Sequence, residues 1–296
     1  MKRSCPNSDC PFYEKNTHVV KDGTYFRQND SRTVQRFRCL NCQKRFSAAF
    51  FSLEYKQKKR RINYPLFKLL TSGVSMRRSA QLLGVHRNTI QRKFIYLAQK
   101  ARISQAQLLK KLENKQVEHL QFDDLITSEH TKLKPLTVTA AVDAKSRLIL
   151  AAEVSSIPPF GYLAAIFRRK YPGQRRKNEH KKGLQKMFEQ IQKVVSPYAL
   201  IGTDEHPTYP IFVNKFLPLA THQRFKGGRG AIVGQGELKK LKHDPLFMLN
   251  HTYAMLRANI NRLFRRTWCT TKKKGMLKNH LDIYIAFHNA EIAKWS

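Results

Sequence analysis

In the N-terminal third of the chain, apolar side chains recur every three or four positions, which is the spacing of amphipathic helices. A first helix is predicted to begin at Tyr64 and to end near Gly73, because glycine tolerates the left-handed conformation at a helix C-terminus. A second helix follows with Ser75 as its N-cap, and Gly84 then forms a tight turn. A third helix covers residues 86–102. Two helices joined by a glycine turn are typical of a helix-turn-helix.

In that arrangement the N-terminal part of the last helix enters the major groove of DNA. Side chains of the types that reach base edges or phosphates occupy this part, so we predict a DNA-binding set of Arg87, Asn88, Gln91 and Arg92. The alternative is an ordinary three-helix bundle whose charged face is only solvated.

Further along the chain the periodicity changes to that of β-strands. Three strands joined by turns are predicted at 117–127, 136–146 and 147–156. The patterns that follow predict helices at 160–170, 181–195 and 209–216, a short strand at 198–203 and a long helix at 245–266. Three strands followed by helices that alternate with strands indicate an α+β protein with an RNase H-like mixed sheet.

The charge of the chain narrows its function. The 296 residues include 56 Lys and Arg against 20 Asp and Glu, a formal net charge of +36. Such an excess repels itself unless a polyanion screens it, which favours nucleic acid as partner and disfavours an enzyme of small metabolites. The hydrophobic content of 41% excludes a wholly disordered basic tail. No apolar run approaches a membrane span, so we expect a soluble, cytoplasmic protein without membrane contact.

Four of the five cysteines lie in the first 42 residues, as the pair Cys5 and Cys10 and the pair Cys39 and Cys42. Two such pairs match a tetrahedral four-thiolate zinc site, and reducing compartments disfavour the alternative of disulfides. Four thiolates close the coordination shell, so we expect the zinc to be structural. The predicted domains are a zinc ribbon at 1–52, a helix-turn-helix domain at 58–103, a connector or helix end at 104–116 and a catalytic domain at 117–296.

Carboxylates are scarce in the C-terminal half, so their positions are informative. Asp123 lies in the first predicted strand of that half and Asp204 lies just past a later one. If these strands are neighbours, the two carboxylates form a catalytic site for Mg2+ or Mn2+ acting on a phosphodiester. Asp124 is expected to point to the opposite face of its strand, and Asp143 to begin a hairpin turn. Alternatively, Asp204 only closes a turn.

Several segments together resemble the bacterial insertion-sequence transposases of the DDE class over nearly the whole chain. The matching segments are CPNSDC with RFRCLNC, QFDDLIT, GTDEHPTY, MLRANINRLFRRTWCTTKKK and HLDIYIAFHN. The resemblance implies an RNase H-like catalytic domain, a divalent metal, and cutting and joining of strands at element ends. It implies that Asp123 is the first acid and Asp204 the second. The last long helix would present Arg257 and Arg265 to DNA.

The third acid of that family is replaced here. Its position corresponds to Asn250, whose amide oxygen can bind or orient but carries no charge. Asp244 and Glu237 are the alternative ligands, although Asp244 followed by proline is also a typical helix N-cap.

Two functions remain open from the sequence. The first is an active, metal-dependent transposase that binds double-stranded element ends and target DNA as a homo-oligomer, in a bacterial nucleoid. The second is a domesticated DNA-binding protein, a repressor or architectural factor, that keeps the fold without the chemistry. An RNA-binding role is third, because a helix-turn-helix prefers duplex DNA.

Overall fold

A computed structural model of the protein describes residues 4–28, 31–226, 244–264 and 266–292. The chain folds into two compact units, Met1–Phe67 and Lys68–Ser296. Helices are combined with two β-sheets, so the predicted α+β class is confirmed. None of the helices in the described ranges is both long enough and apolar enough to cross a membrane.

The small unit is built on an antiparallel sheet of three strands in the order β1-β2-β3. Its strands are β1 (Val19–Arg27), β2 (Arg32–Cys39) and β3 (Arg45–Ser47). Phe37 of the central strand pairs with Phe46 of β3, and their ring centroids are 5.8 Å apart. Gly23 has a φ of +70° where the β1–β2 register shifts, a conformation that a side chain would strain.

Three helices follow the small sheet: α1 (Asn63–Thr71), α2 (Met76–Leu82) and α3 (Arg87–Leu112). The hydroxyl of Ser75 accepts a hydrogen bond of 3.2 Å from the backbone N–H of Arg78, which confirms the predicted N-cap of α2. Gly84 has a φ of +60° in the short turn between α2 and α3. These local features could be predicted from the sequence because helix caps and glycine turns depend only on neighbouring residues.

Helix α3 is 26 residues long and continues through most of the predicted connector at 104–116. It packs against the C-terminal helix α8 (Lys274–Ile292), where Arg102 donates to Asp282 across 2.7 Å. Helices α2 and α3 therefore belong to the same compact unit as the large sheet. The sequence predicted a separate domain at 58–103 because the residues that bury α3 are far away along the chain.

The large unit contains a mixed sheet of five strands in the order β6-β5-β4-β7-β8. Its strands are β4 (Val117–Ser128), β5 (Pro135–Asp143), β6 (Ile149–Ser156), β7 (Val195–Asp204) and β8 (Thr221–Phe225). Strands β4, β5 and β6 form an antiparallel meander, whereas β7 lies parallel to both β4 and β8. Strand β8 was not predicted, because its sequence THQRF is short and mostly polar.

Helices cover both faces of this sheet. Those not yet described are α4 (Tyr162–Lys170), α5 (His180–Ile191), α6 (Tyr209–Phe216) and α7 (Phe247–Asn259). Helices α5 and α6 share one apolar core with Phe122 of β4, and α7 and α8 share the second core with Leu125 of the same strand. Alternate residues of β4 therefore serve opposite cores, as strand geometry requires.

Helix α7 is shorter than the predicted helix at 245–266, and that prediction was wrong in length. The backbone becomes extended at Ile260, with φ −102° and ψ +104°, after the helix ends at Asn259. The carbonyl of Asn259 accepts a hydrogen bond of 2.7 Å from the N–H of Gly73, so a distant segment satisfies the helix end. A Cβ at position 73 would lie only 2.9 Å from the ring of Phe264, which explains the glycine.

Candidate functional site

Four cysteine side chains converge in the small unit. Their Sγ atoms all lie within 4.8 Å of one another, with Cys5 3.5 Å from Cys42 and Cys10 3.9 Å from Cys39. Tetrahedral coordination with zinc–sulfur bonds of about 2.3 Å sets sulfur–sulfur separations of about 3.8 Å. The predicted ligand set is therefore brought together, close enough to bind one metal ion and compatible with a structural zinc.

The surroundings of these thiols favour a closed site. Cys5 and Cys39 are fully buried, and Cys10 is nearly so, which leaves little access for a substrate. A backbone hydrogen bond from Lys44 lowers the pKa of Cys42 to about 7, whereas burial raises the pKa of Cys5 to about 12. A bound cation favours the thiolate at every position, so it would offset the burial that holds Cys5 protonated.

In the large unit, the two predicted catalytic acids lie on neighbouring parallel strands. Asp123 is in β4, and Asp204 is the last residue of β7. The register pairs Gln121 with Gly202, so two residues further along both strands Asp123 comes beside Asp204. The fold thus brings the two carboxylates together, although they are far apart along the chain.

The carboxyl group of Asp123 is strongly perturbed. Burial raises its pKa to about 7, and the negative charge of Asp204 acts in the same direction. Hydrogen bonds that the carboxylate accepts from the backbone N–H of Asp124 and from the Tyr209 hydroxyl oppose that rise. A nearby cation would favour the ionised form of both carboxyl groups. The donor set is therefore suited to a divalent cation with oxygen ligands.

Asp204 also has a local structural role. Its Oδ1 atom accepts a hydrogen bond of 2.8 Å from the backbone N–H of His206, so it closes the turn after β7, as the alternative interpretation expected. The ring centroid of His206 is 4.9 Å from that of His180 and 4.8 Å from that of Tyr209. Burial lowers the pKa of His206, and His180 lowers it further, so the His206 imidazole is neutral beside the acid pair at neutral pH.

Asp124 occupies a buried polar cluster next to the acid pair. Its Oδ1 atom accepts hydrogen bonds from the hydroxyls of Thr137, at 2.7 Å, and Thr139. Its Oδ2 atom lies 2.5 Å from Nε2 of His180, within ion-pair distance. Burial acts to raise the pKa of Asp124, but His180 and the two threonines outweigh it and hold the pKa below its ordinary value.

The hydroxyl of Tyr209 connects the two adjacent carboxylates. It lies 3.1 Å from Oδ1 of Asp123 and 2.9 Å from Oδ2 of Asp124. Burial, followed by the charges of Asp124 and Asp123, raises the pKa of Tyr209 well above its usual value, so the hydroxyl stays a donor. The carboxylate of Asp124 therefore borders the same site as that of Asp123, with the Tyr209 hydroxyl between them. Strand β7 ends at Asp204, and the chain turns back so that α6 begins beside both carboxylates.

Sequence reasoning did not identify three residues that contact Asp123 or Asp124: His180, Tyr209 and Tyr253. The hydroxyl of Tyr253 donates to the backbone carbonyl of Asp123 and accepts a hydrogen bond of 3.3 Å from the N–H of Ala140. Only Tyr209 could have been selected from the sequence, because it follows the predicted catalytic Asp204 by five positions. The other two come from helices α5 and α7, whose approach to β4 has no local signature.

The residues considered for the third acid lie at the start of α7. The amide of Asn250, which is exposed, donates a hydrogen bond of 2.8 Å to Oδ2 of Asp244. Oδ1 of Asp244 accepts from the backbone N–H of Leu246 at 3.0 Å, so Asp244 closes the turn before the helix. The N-cap position itself is Leu246 and not Asp244 as predicted, because the helix begins two residues later. Glu237 lies outside the described residues.

The predicted DNA-binding residues divide between two places. Four lie exposed on the first two turns of α3: Arg87, Asn88, Gln91 and Arg92. Arg257 lies in the last turn of α7 and lines a cavity of about 420 Å3. Arg265 lies outside the described residues.

Comparison with known proteins assigns no family: no protein-family model matches this chain, and no curated protein matches it. The functional interpretation therefore rests on two arrangements. One is the four-thiol cluster of the small unit. The other is the cluster of carboxylates around Tyr209 in the large unit.

Proposed function

We propose that the protein is a divalent-metal-dependent DNA transposase, a polynucleotidyl transferase that binds the ends of a mobile element and cleaves and joins strands. The observation that carries the proposal is the position of Asp123 beside Asp204 on neighbouring parallel strands, with the pKa of Asp123 raised. The sheet supports an RNase H-like interpretation, since an antiparallel meander is extended by two parallel strands and covered by helices on both faces.

The charge and the helical segment support DNA as the substrate. The net charge of +36 favours a polyanionic partner whose binding is salt-sensitive. Helices α2 and α3, joined by the turn at Gly84, suit a helix-turn-helix whose first α3 residues enter the major groove. Because a mobile element has two ends, we propose that a homo-oligomer assembles on double-stranded DNA, in the bacterial nucleoid.

The residues around the acid pair would have different roles in the reaction. Asp123 and Asp204 would hold Mg2+ or Mn2+, which supplies charge neutralisation at the scissile phosphate and activation of the attacking oxygen. Tyr209 and Tyr253 fix the side chain and the backbone of Asp123 through their hydroxyls. Nδ1 of His206 accepts a hydrogen bond of 3.3 Å from the backbone N–H of Thr208, so Nε2 carries the proton of the neutral imidazole and can donate a hydrogen bond.

A second function is favoured by one observation, the neutral and exposed amide of Asn250 at the position where a third acid is expected. A chain with only two metal-binding carboxylates could bind DNA as a repressor or architectural factor without cleaving it. The two functions differ in one readout, since both require DNA binding and only the first requires strand cleavage.

The test is a strand-cleavage assay on a supercoiled plasmid that carries the short inverted repeats flanking the gene, with Mg2+ or Mn2+. We expect wild-type protein to cleave at the repeats. Asp204→Asn should lower the rate by at least about 100-fold, because it removes charge stabilisation at the reacting phosphate. Glu189→Gln is the matched control, since it removes the same charge from an exposed position on α5.

Cleavage that survives Asp204→Asn would contradict the proposed site. Binding to the repeats without any cleavage would favour the repressor function. Asn250→Ala tests whether Asn250 orients a metal ligand. Loss of such an orienting residue lowers activity about 10- to 100-fold, whereas loss of a residue outside the site leaves activity unchanged. If Asp244→Asn lowers the rate more than Asn250→Ala does, Asp244 is the better candidate for the third ligand.

A further inference from the structure

The large unit contains a cavity of about 420 Å3 that the proposed chemistry does not use. Such a volume lies within the range of about 300–1,000 Å3 that is typical of small-ligand sites. Its walls are largely apolar and include Leu125, Ile126, Pro159, Phe160, Leu163 and Phe264. Leu125 and Ile126 directly follow the Asp123–Asp124 pair on β4, so the cavity begins where the acid cluster ends.

The lining of the cavity is also cationic. Among the described residues that line it are Lys132, Arg257 and Arg266, and none of those lining residues is a carboxylate. An apolar cavity bordered by cations is complementary to a ligand that joins a flat, weakly polar group to a phosphate. A nucleotide has this composition, whereas an apolar peptide segment offers no negative charge to the three cations.

Aromatic side chains stand exposed beside this cavity. Phe160, which lines it, is 61% exposed, and Trp268 is 75% exposed. The guanidinium of Arg266 lies 5.8 Å from the ring centroid of Trp268, so a cavity-lining cation already rests over this indole. Exposed aromatic rings next to cations are the surfaces on which unpaired bases stack.

We propose that this cavity binds the base of an unpaired nucleotide in the DNA substrate. The inference rests on the proposed function, because it assigns the cavity to the same DNA that reaches the acid pair. Thr127, another lining residue, lies four positions beyond Asp123, which is a distance of about 13 Å along a strand. The unpaired nucleotide would therefore lie a few positions from the reacting phosphate, its base in the cavity and its phosphate near Arg257.

The test compares two short DNA duplexes, one fully paired and one with a single bulged nucleotide, in a fluorescence anisotropy titration of the full chain. Added divalent metal is omitted, so that only binding is measured. We expect wild-type protein to bind the bulged duplex about tenfold more tightly, which corresponds to the stacking of one base on an aromatic side chain. Phe160→Ala and Trp268→Ala should each lower this preference, and Leu163→Trp, which fills the cavity, should remove it.

Tyr198→Ala is the matched control, since Tyr198 is 76% exposed but lies near the start of β7, away from the acid pair. It should leave the preference unchanged. A preference that persists in Leu163→Trp would overturn the proposal, as would an equal weakening of both duplexes by Phe160→Ala and Trp268→Ala. Tighter binding of an RNA with the same bulge would overturn the assignment to DNA.

The two proposals can fail separately. A bulge preference that depends on Phe160 and Leu163, together with no plasmid cleavage, would support the cavity assignment and contradict the catalytic one. Cleavage at the inverted repeats without any bulge preference would contradict the cavity assignment alone. Repeating the titration with Asp204→Asn checks this independence, because that substitution should abolish cleavage and leave the bulge preference intact.

Discussion

The four-thiol cluster and the carboxylate cluster hold reactive groups together by opposite means. Around the thiols, the buried apolar cluster consists of Cys5, Cys10 and Cys39 themselves, with Phe12 and Val19 packed against it. The carboxylates lie instead between two extensive apolar cores that fill both faces of a five-stranded sheet. A metal ion would thus hold the small site together, whereas apolar packing and the hydrogen bonds of buried hydroxyls hold the large one.

This difference has a thermodynamic consequence. A small unit without a large core depends on its ligands, so metal binding and folding are one equilibrium. In the large unit, the cost of placing Asp123 and Asp124 side by side is met by burial of many other residues and by the hydroxyls of Tyr209 and Thr137. Loss of a cation there should change chemistry and leave the fold intact.

The largest expected effect is loss of fold in the small unit when its metal is removed. A structural zinc contributes about 10–16 kcal/mol of apparent binding free energy, which exceeds what so small a core supplies. We expect about one zinc per chain by elemental analysis. Chelation or Cys39→Ser should abolish the hydrogen-exchange protection of β1–β3 and leave that of β4–β8 unchanged.

Cys269→Ser is the control for this prediction, because Cys269 is a thiol outside the cluster. It should change neither the zinc content nor the protection pattern. If amides in β2 stay protected after complete removal of zinc, the small unit does not depend on its metal. Both sites would then be held by packing.

The next effect concerns the contact between His180 and Asp124 inside the large unit. His180→Ala removes the imidazole that lies 2.5 Å from the buried carboxylate of Asp124, and removal of one partner of a buried pair costs about 3–5 kcal/mol. Urea unfolding followed by circular dichroism at neutral pH should show that loss with the zinc content unaltered. The double variant His180→Ala with Asp124→Asn should recover part of it, because the uncompensated charge is gone. An unchanged urea midpoint in the single variant would show that the pair is not needed.

The acid pair should respond to pH. The folded state holds a proton on Asp123 up to pH of about 7, whereas the unfolded carboxyl ionises near 3.8. Between these values the folded state binds more protons than the unfolded state, so the stabilising contribution of protonated Asp123 falls as pH rises and is absent above the folded pKa. The effect is at most about 4 kcal/mol.

Asp123→Asn should remove this contribution to the pH dependence. Without added divalent metal, the variant should become more stable than the wild type as pH rises toward 7, measured by urea unfolding across that range. Added Mg2+ should stabilise the wild type more above this pH than below it, since the cation must displace the proton. A pH dependence identical in both proteins would mean that Asp123 ionises normally.

The smallest effect tests the packing that positions helix α5. A Cβ at Gly183 would overlap the hydroxyl of Ser155 on β6, so Gly183→Ala should destabilise the large unit by about 1–3 kcal/mol. Gly275→Ala in α8 is the matched control, because a Cβ there meets nothing within 4 Å. It should be neutral or stabilising by about 0.5 kcal/mol. Equal thermal midpoints for the two variants would show that α5 can shift without cost.

Features with a local cause could be read from the sequence. The spacing of Cys5 from Cys10 and of Cys39 from Cys42 predicted the converging thiols, and the N-cap at Ser75 and the turn at Gly84 were also predicted. The three strands of the meander were found because their apolar runs have a short period. Each of these signals lies within a few residues, where backbone geometry and residue type suffice.

The surroundings of the acid pair were decided only in three dimensions. Asp123 and Asp204 could be selected because carboxylates are scarce, but their register depends on how β7 pairs with β4. His180 and Tyr253 reach the site through helix packing.

The limits of α7 and the packing of α3 against α8 also depend on contacts between segments far apart in the chain. Periodicity specifies which face of an element is buried. The partner that covers that face is selected by the free energy of the whole packed unit.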